Sequence, residues 1–198
     1  MWNRPLLLFI AAGLVVASCS DGAASSSTSV STSTVAVTSV LAGWAEGLVV
    51  DDSGTFAFDA ERYQLLADTS PVVTPFGEFP AISLSGDLAA HGSSPIANGV
   101  TIAVLPAGEG PVSEVVGRWY PDDGVCPESP TAILVETLFG PAQGVRFERC
   151  GASGDVVRAV VAIDIPNRDV VVVVAMRGAF STDDLVLLVP EFMRVRFP

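Results

Sequence analysis

Residues 170–175 read Val-Val-Val-Val-Val-Ala. Five β-branched side chains in a row favour an extended strand, and successive side chains of a strand point to opposite faces. Both faces of this strand are therefore apolar. It has to lie inside a sheet that is covered on each side, because an open face would leave a row of valines in water. That requirement restricts the fold to a sheet carrying a layer of other structure above and below it.

The surrounding sequence supplies the sheet and one of its covers. Residues 155–165 and 169–176 flank Pro166-Asn167-Arg168, which reads as a hairpin. In the first of these strands Val157, Ala159, Val161, Ile163 and Ile165 make one wholly apolar face, while Arg158 and Asp164 mark the other. Upstream, residues 132–138 and 145–150 flank Gly140-Pro141-Ala142-Gln143-Gly144, read as a strand, a tight connection and an antiparallel return. Downstream, Ser181 is an N-cap with Asp183 and Asp184 in the first turn, and Leu185, Leu188, Val189 and Phe192 follow at helical spacing. Pro190 removes one hydrogen bond from that helix and is expected to kink it. This helix is the nearest cover for the valine strand, and the earlier half of the chain should provide the other.

The earlier half is less regular. Leu48, Val49 and Val50 read as a strand entering the turn Asp51-Asp52-Ser53-Gly54, with residues 55–58 as its return. The acidic turn lacks the alternating oxygen ligands and terminal Glu of an EF-hand loop, so it reads as a turn rather than a calcium site. Residues 60–67 suit a short helix begun by Asp59 or a strand, and Pro71, Pro75 and Pro80 punctuate an irregular segment ending near Ser85. Residues 99–105 form a strand closed by Pro106-Ala107-Gly108. Trp119 and Tyr120 stand just before Pro121-Asp122-Asp123-Gly124; aromatics beside a turn are candidates to line a ligand groove, and more often cap the edge of a core.

The first residues say where such a domain works. Arg4 precedes an apolar run of about a dozen residues, well short of the roughly 20 that span hydrocarbon as a helix. The run ends in Val16-Ala17-Ser18-Cys19, where small residues suit a signal peptidase and the Cys19 thiol can receive diacylglycerol. Residues 1–18 are thus expected to be a lipoprotein signal peptide, with Cys19 as the lipidation site. Residues 19–36, rich in Ser and Thr, form a flexible tether. Residues 37–198 form a single globular domain. The protein is expected outside the cytoplasm, anchored to the cell membrane by its N-terminal lipid.

Charge narrows the partners. The formal net charge of −12 becomes −13 without Arg4, with 9 Arg against 22 acids. So acidic a chain is repelled by nucleic acid and by anionic headgroups, and its membrane attachment has to come from acyl chains. With Cys19 acylated, Cys126 and Cys150 remain, an even count that suggests one disulfide in an exported chain. Neither a cofactor motif nor a metal-ligand spacing occurs. His91, the only histidine, lies beside Ser93 and Ser94. It could serve a Ser-His-Asp triad, but no G-x-S-x-G elbow is present, and a loop histidine without a catalytic task is the plainer reading.

The order of the second half, residues 132–150, 156–165, 170–176 and then a closing helix over 182–196, resembles the LpqN/LpqT-type actinobacterial lipoproteins. The resemblance implies an α+β domain, a PsbP-like sandwich with a central antiparallel sheet and flanking helices. It also implies a non-enzymatic binding or accessory role in the cell envelope, with no catalytic residues to carry over. The expected function is therefore binding of a hydrophobic small molecule or an envelope protein partner. A hydrolase using His91 and a purely structural surface protein are the alternatives.

Overall fold

The computed structural model describes residues 47–120, 124–165 and 167–198. The signal peptide, Cys19, the tether, residues 37–46, Pro121, Asp122, Asp123 and Pro166 lie outside the described residues. The chain begins with a small hairpin, β1 (Val49–Val50) and β2 (Ala57–Phe58), then β3 (Leu66–Asp68), the hairpin β4 (Val72–Thr74) and β5 (Gly77–Phe79), and β6 (Ala81–Ser85). Helix α1 (Leu88–Ser93), β7 (Gly99–Pro106) and helix α2 (Val112–Arg118) follow. The second half contains β8 (Thr131–Thr137), β9 (Gly140–Cys150), β10 (Val156–Ile165), β11 (Val170–Gly178) and helix α3 (Thr182–Phe192). Seven of the strands make one antiparallel sheet in the order β3-β6-β7-β11-β10-β9-β8.

The valine strand stands fourth of the seven, between β7 and β10. Val172, Val174 and Met176 face one core, and Val171, Val173 and Ala175 face another. The first core is closed by Leu185, Val189 and Phe192 of α3 together with Phe56 and Phe58 from the opening hairpin. The second is closed by Val112, Val115 and Val116 of α2, by Trp119 and by Phe79. The strand is thus covered twice, and each fully buried valine contributes about 1.5–3 kcal/mol of transfer free energy.

Helix α3 starts where its cap permits. Ser181 Oγ accepts from the Asp184 amide at 3.2 Å, and the Asp184 carboxylate accepts from the Ser181 amide at 2.7 Å, a reciprocal capping box. The Ser181 amide, and after it the Ser181 hydroxyl donating at 2.8 Å, hold the Asp184 carboxyl below the usual carboxylate range. The acidic pair is a cap.

Three local expectations are corrected. The break between β8 and β9 falls at Leu138 and Phe139, not across residues 140–144, and β9 runs from Gly140 through Pro141. Gly140 takes a φ of +111°, which closes the turn early. Pro141 is tolerated because it pairs with Glu136 alone: the β10 register on β9 extends only to Gln143. Gly144 is extended and lets β9 approach its neighbour, since a Cβ there would stand 2.6 Å from the Val160 carbonyl oxygen. Residues 60–67 hold a three-residue 3-10 turn and then β3, the turn ended by Gln64 at φ +54°. The proline-rich stretch forms the hairpin β4–β5 rather than irregular chain.

His91 brings a further correction. It lies in α1, not in a loop, because the Asp87 side chain accepts from the Ala90 amide at 3.0 Å and caps the helix. Its ring is buried, with 5% of the residue exposed.

Candidate functional site

The antiparallel register sets Arg158 directly opposite Arg177. Like charges in that relation repel, so their heads need polar partners. Arg177 Nη1 donates to the Ser94 carbonyl at 2.8 Å, and its Nη2 donates to the His91 carbonyl at 2.9 Å. Arg158 Nε donates to the Pro95 carbonyl at 3.0 Å, and its guanidinium lies 4.9 Å from the centre of the Tyr120 ring. Both arginines reach the segment after α1, across 83 and 63 residues of sequence. They fix the path of residues 94–95.

His91 completes this cluster as a neutral imidazole. Arg177 Nη2 lies 2.9 Å from His91 Nδ1 and 3.2 Å from Nε2, and because a guanidinium only donates, the ring is its acceptor. His91 Nε2 also stands 3.3 Å from Thr101 Oγ1. Burial, and next to it the Arg177 charge, push the His91 pKa below its ordinary 6.5, while the Ala97 backbone contact and Asp68 act in the opposite direction. Burial also lowers the Arg177 pKa, with Tyr120 opposing that shift and Arg158 adding to it.

A pH dependence follows with a definite sign. The unfolded chain takes up a proton near 6.5, the folded chain only at lower pH, so the contribution of His91 is complete above 6.5 and is lost as pH falls through the folded pKa. One proton sets a ceiling of about 1.4 kcal/mol per pH unit. Thermal melts from pH 7.5 to 5 should show the parent losing stability faster than His91→Gln on acidification. Parallel curves for the two would remove His91 as the source.

This geometry is not that of a triad. Among the described residues no carboxylate is hydrogen-bonded to the His91 ring. The serines beside it are turned to the backbone, Ser93 Oγ donating to the Ala89 carbonyl at 2.7 Å and Ser94 Oγ accepting from the Ile96 amide at 3.4 Å. Nor does any group of three His, Cys, Asp or Glu among the described residues suit a metal ion. The Asp51 carboxylate in the acidic turn, with the residue 2% exposed, accepts from the amides of Ser53 at 2.9 Å and Phe56 at 2.7 Å. Its acceptors serve the hairpin.

The cluster does its positioning next to a surface pocket. Pro95, Ile96, Val125, Pro127, Gly151 and Ala152 line it, around a volume of about 460 Å³. The lining is mainly apolar. Cys126 and Cys150 lie at disulfide-bonding distance, with Cα atoms 4.1 Å apart across 24 residues, and Gly151 donates to the Val125 carbonyl at 2.8 Å. Ser94 and Pro95 are therefore held by Arg177 and the buried Arg158, and Val125 and Pro127 flank Cys126 of the cysteine pair.

Trp119 and Tyr120, the sequence candidates for a ligand groove, line a different place. Trp119 is 8% exposed and packs in the core beneath α2. Tyr120 is half-buried, donates toward the Met176 carbonyl at 3.4 Å and meets Phe147 edge-on, with ring centres 6.1 Å apart. Neither touches the pocket. Sequence reasoning missed Ile96 and the arginine pair; the only trace was Arg158 interrupting an otherwise apolar strand.

Compared with known protein families, curated proteins and solved structures, the chain matches none. The reading of its function rests on this geometry and on the chain's own sequence.

Proposed function

We propose that this protein is an extracytoplasmic lipoprotein, held on the membrane by acyl chains on Cys19, whose domain binds a hydrophobic small molecule in the pocket beside Cys126 and Cys150. The observation that carries the reading is the mainly apolar pocket with Ile96 at its wall. Ile96 is partly exposed at a site where both flanking segments are held in place, and pre-positioned walls spare a ligand part of the cost of ordering them. An antiparallel sheet with helices on its two faces supports placing the domain with the PsbP-like sandwiches of LpqN/LpqT-type lipoproteins. Among the described residues no helix is long and apolar enough to cross a membrane, in keeping with attachment through Cys19.

The two halves of the proposal are tested on the full chain. Cells fed alkyne-tagged palmitate should label the parent and leave Cys19→Ala unlabelled; equal labelling sinks the anchor. Titration with the neutral fluorophore N-phenylnaphthylamine should give saturable binding that Ile96→Asp weakens at least tenfold, about 1.4 kcal/mol, with little change in melting temperature. Undiminished binding by that variant sinks the pocket.

A further inference from the structure

The seven-stranded sheet ends on two unlike edges. At one end β3 is three residues long and carries Asp68. At the other, β8 is seven residues long, reads Thr-Ala-Ile-Leu-Val-Glu-Thr, and among the described residues pairs with β9 alone. An open edge is a template for another strand, and proteins protect it by shortness, Lys, Pro or a bulge. β3 is protected by its length and its acid. β8 is longer, carries one acid, Glu136, and has neither Lys, Pro nor a bulge: its register runs unbroken from Thr131↔Arg146 to Thr137↔Gly140.

Apolar side chains gather at this edge. Leu134 on β8 is 64% exposed, and Leu138 in the turn after it is 70% exposed. Helix α3 packs against β8 and carries Val186 at 51% and Leu187 at 70% exposure. These are four of the six large apolar side chains that stand exposed among the described residues.

We propose that β8 pairs with β8 of a second copy of this chain, antiparallel and centred on Leu134. The strand is nearly self-complementary under that two-fold. Thr131 meets Thr137, Ile133 meets Val135 and Leu134 meets its own counterpart, pairings of the kinds that stabilise neighbouring strands. Charge placement fits as well. Two copies of a chain at −12 repel, so an acid facing its counterpart across the seam would oppose pairing. Glu136, the single charge on β8, instead meets Ala132. The two Glu136 side chains stand four positions apart, on the order of 13 Å along the strand, beyond the screening length of about 8 Å at physiological salt. A two-fold perpendicular to the sheet keeps both α3 helices on the same side of the joined sheet.

The test uses the full chain co-expressed with two different tags. Under mild copper-catalysed oxidation, Leu134→Cys should join the two tags covalently above the parent background. Ala132→Cys should do so at least tenfold less, and cross-linking should return when Ala132→Cys and Glu136→Cys chains are mixed. Leu134→Lys should cut co-capture of untreated chains at least tenfold while leaving the melting temperature in place, because Leu134 is exposed in the single chain. Equal cross-linking of Leu134→Cys and Ala132→Cys, capture of a different protein at position 134, or full co-capture by Leu134→Lys would each overturn the proposal.

Discussion

Phe192→Ala should lower the stability of the domain by about 3–5 kcal/mol, the usual loss when a buried aromatic side chain is truncated. Phe192 is 4% exposed in the last turn of α3. Its ring centre lies 5.0 Å from that of Tyr63 and 6.0 Å from that of Phe58, so one truncation removes two of the three contacts of an aromatic cluster. Phe58 and Tyr63 come from the first part of the chain. The ring therefore joins the opening hairpin to the closing helix, and its removal leaves a void that neither segment can fill alone. A typical domain has 5–15 kcal/mol in total, which would make the variant marginal. Chemical denaturation of parent and variant reads the difference directly. A variant whose midpoint stays with the parent's would mean that α3 does not close this face.

The valine strand and α3 were legible because their signals are local. Five consecutive valines need two covers wherever they lie, and Ser181 with Asp184 caps its helix using groups three residues apart. The hairpin over Asn167 was equally plain, and the backbone there takes the left-handed conformation at Asn167 and Asp169 that such a turn uses. Long-range pairing is what the sequence conceals. Arg158 looked like a solvent marker on the polar face of its strand, yet it is 2% exposed because the segment after α1 folds over it. His91 looked like a loop residue because nothing nearby names Arg177, its partner 86 positions away. Gly140 and Gly144 read from sequence as parts of one tight connection. They have opposite tasks: Gly140 makes a turn with positive φ, while Gly144 is an extended residue whose missing side chain admits a neighbouring strand. Of the two readings of Trp119, groove lining and core packing, the second and plainer one holds: it packs in the core with α2.

Replacing Cys126 and Cys150 by Ser and Ala should cost about 3.5 kcal/mol, the chain-entropy value for a closed loop of about 25 residues. That loop encloses all of β8 and nearly all of β9. Among the described residues β8 has one neighbouring strand, so the cross-link restrains an edge of the sheet. Loss of the bond should therefore show first as faster amide exchange along β8 and only then as a lower global midpoint, with β11 keeping its protection until the whole domain opens. The same variant should weaken fluorophore binding, because Val125 and Pro127 flank Cys126 and form a wall of the pocket. Hydrogen exchange, denaturation and the fluorophore titration on one preparation distinguish the outcomes. A lower midpoint with unchanged exchange in β8 would place the effect of the bond in the unfolded chain alone, and unchanged values in all three would mean that the pair does not link the two segments in the protein.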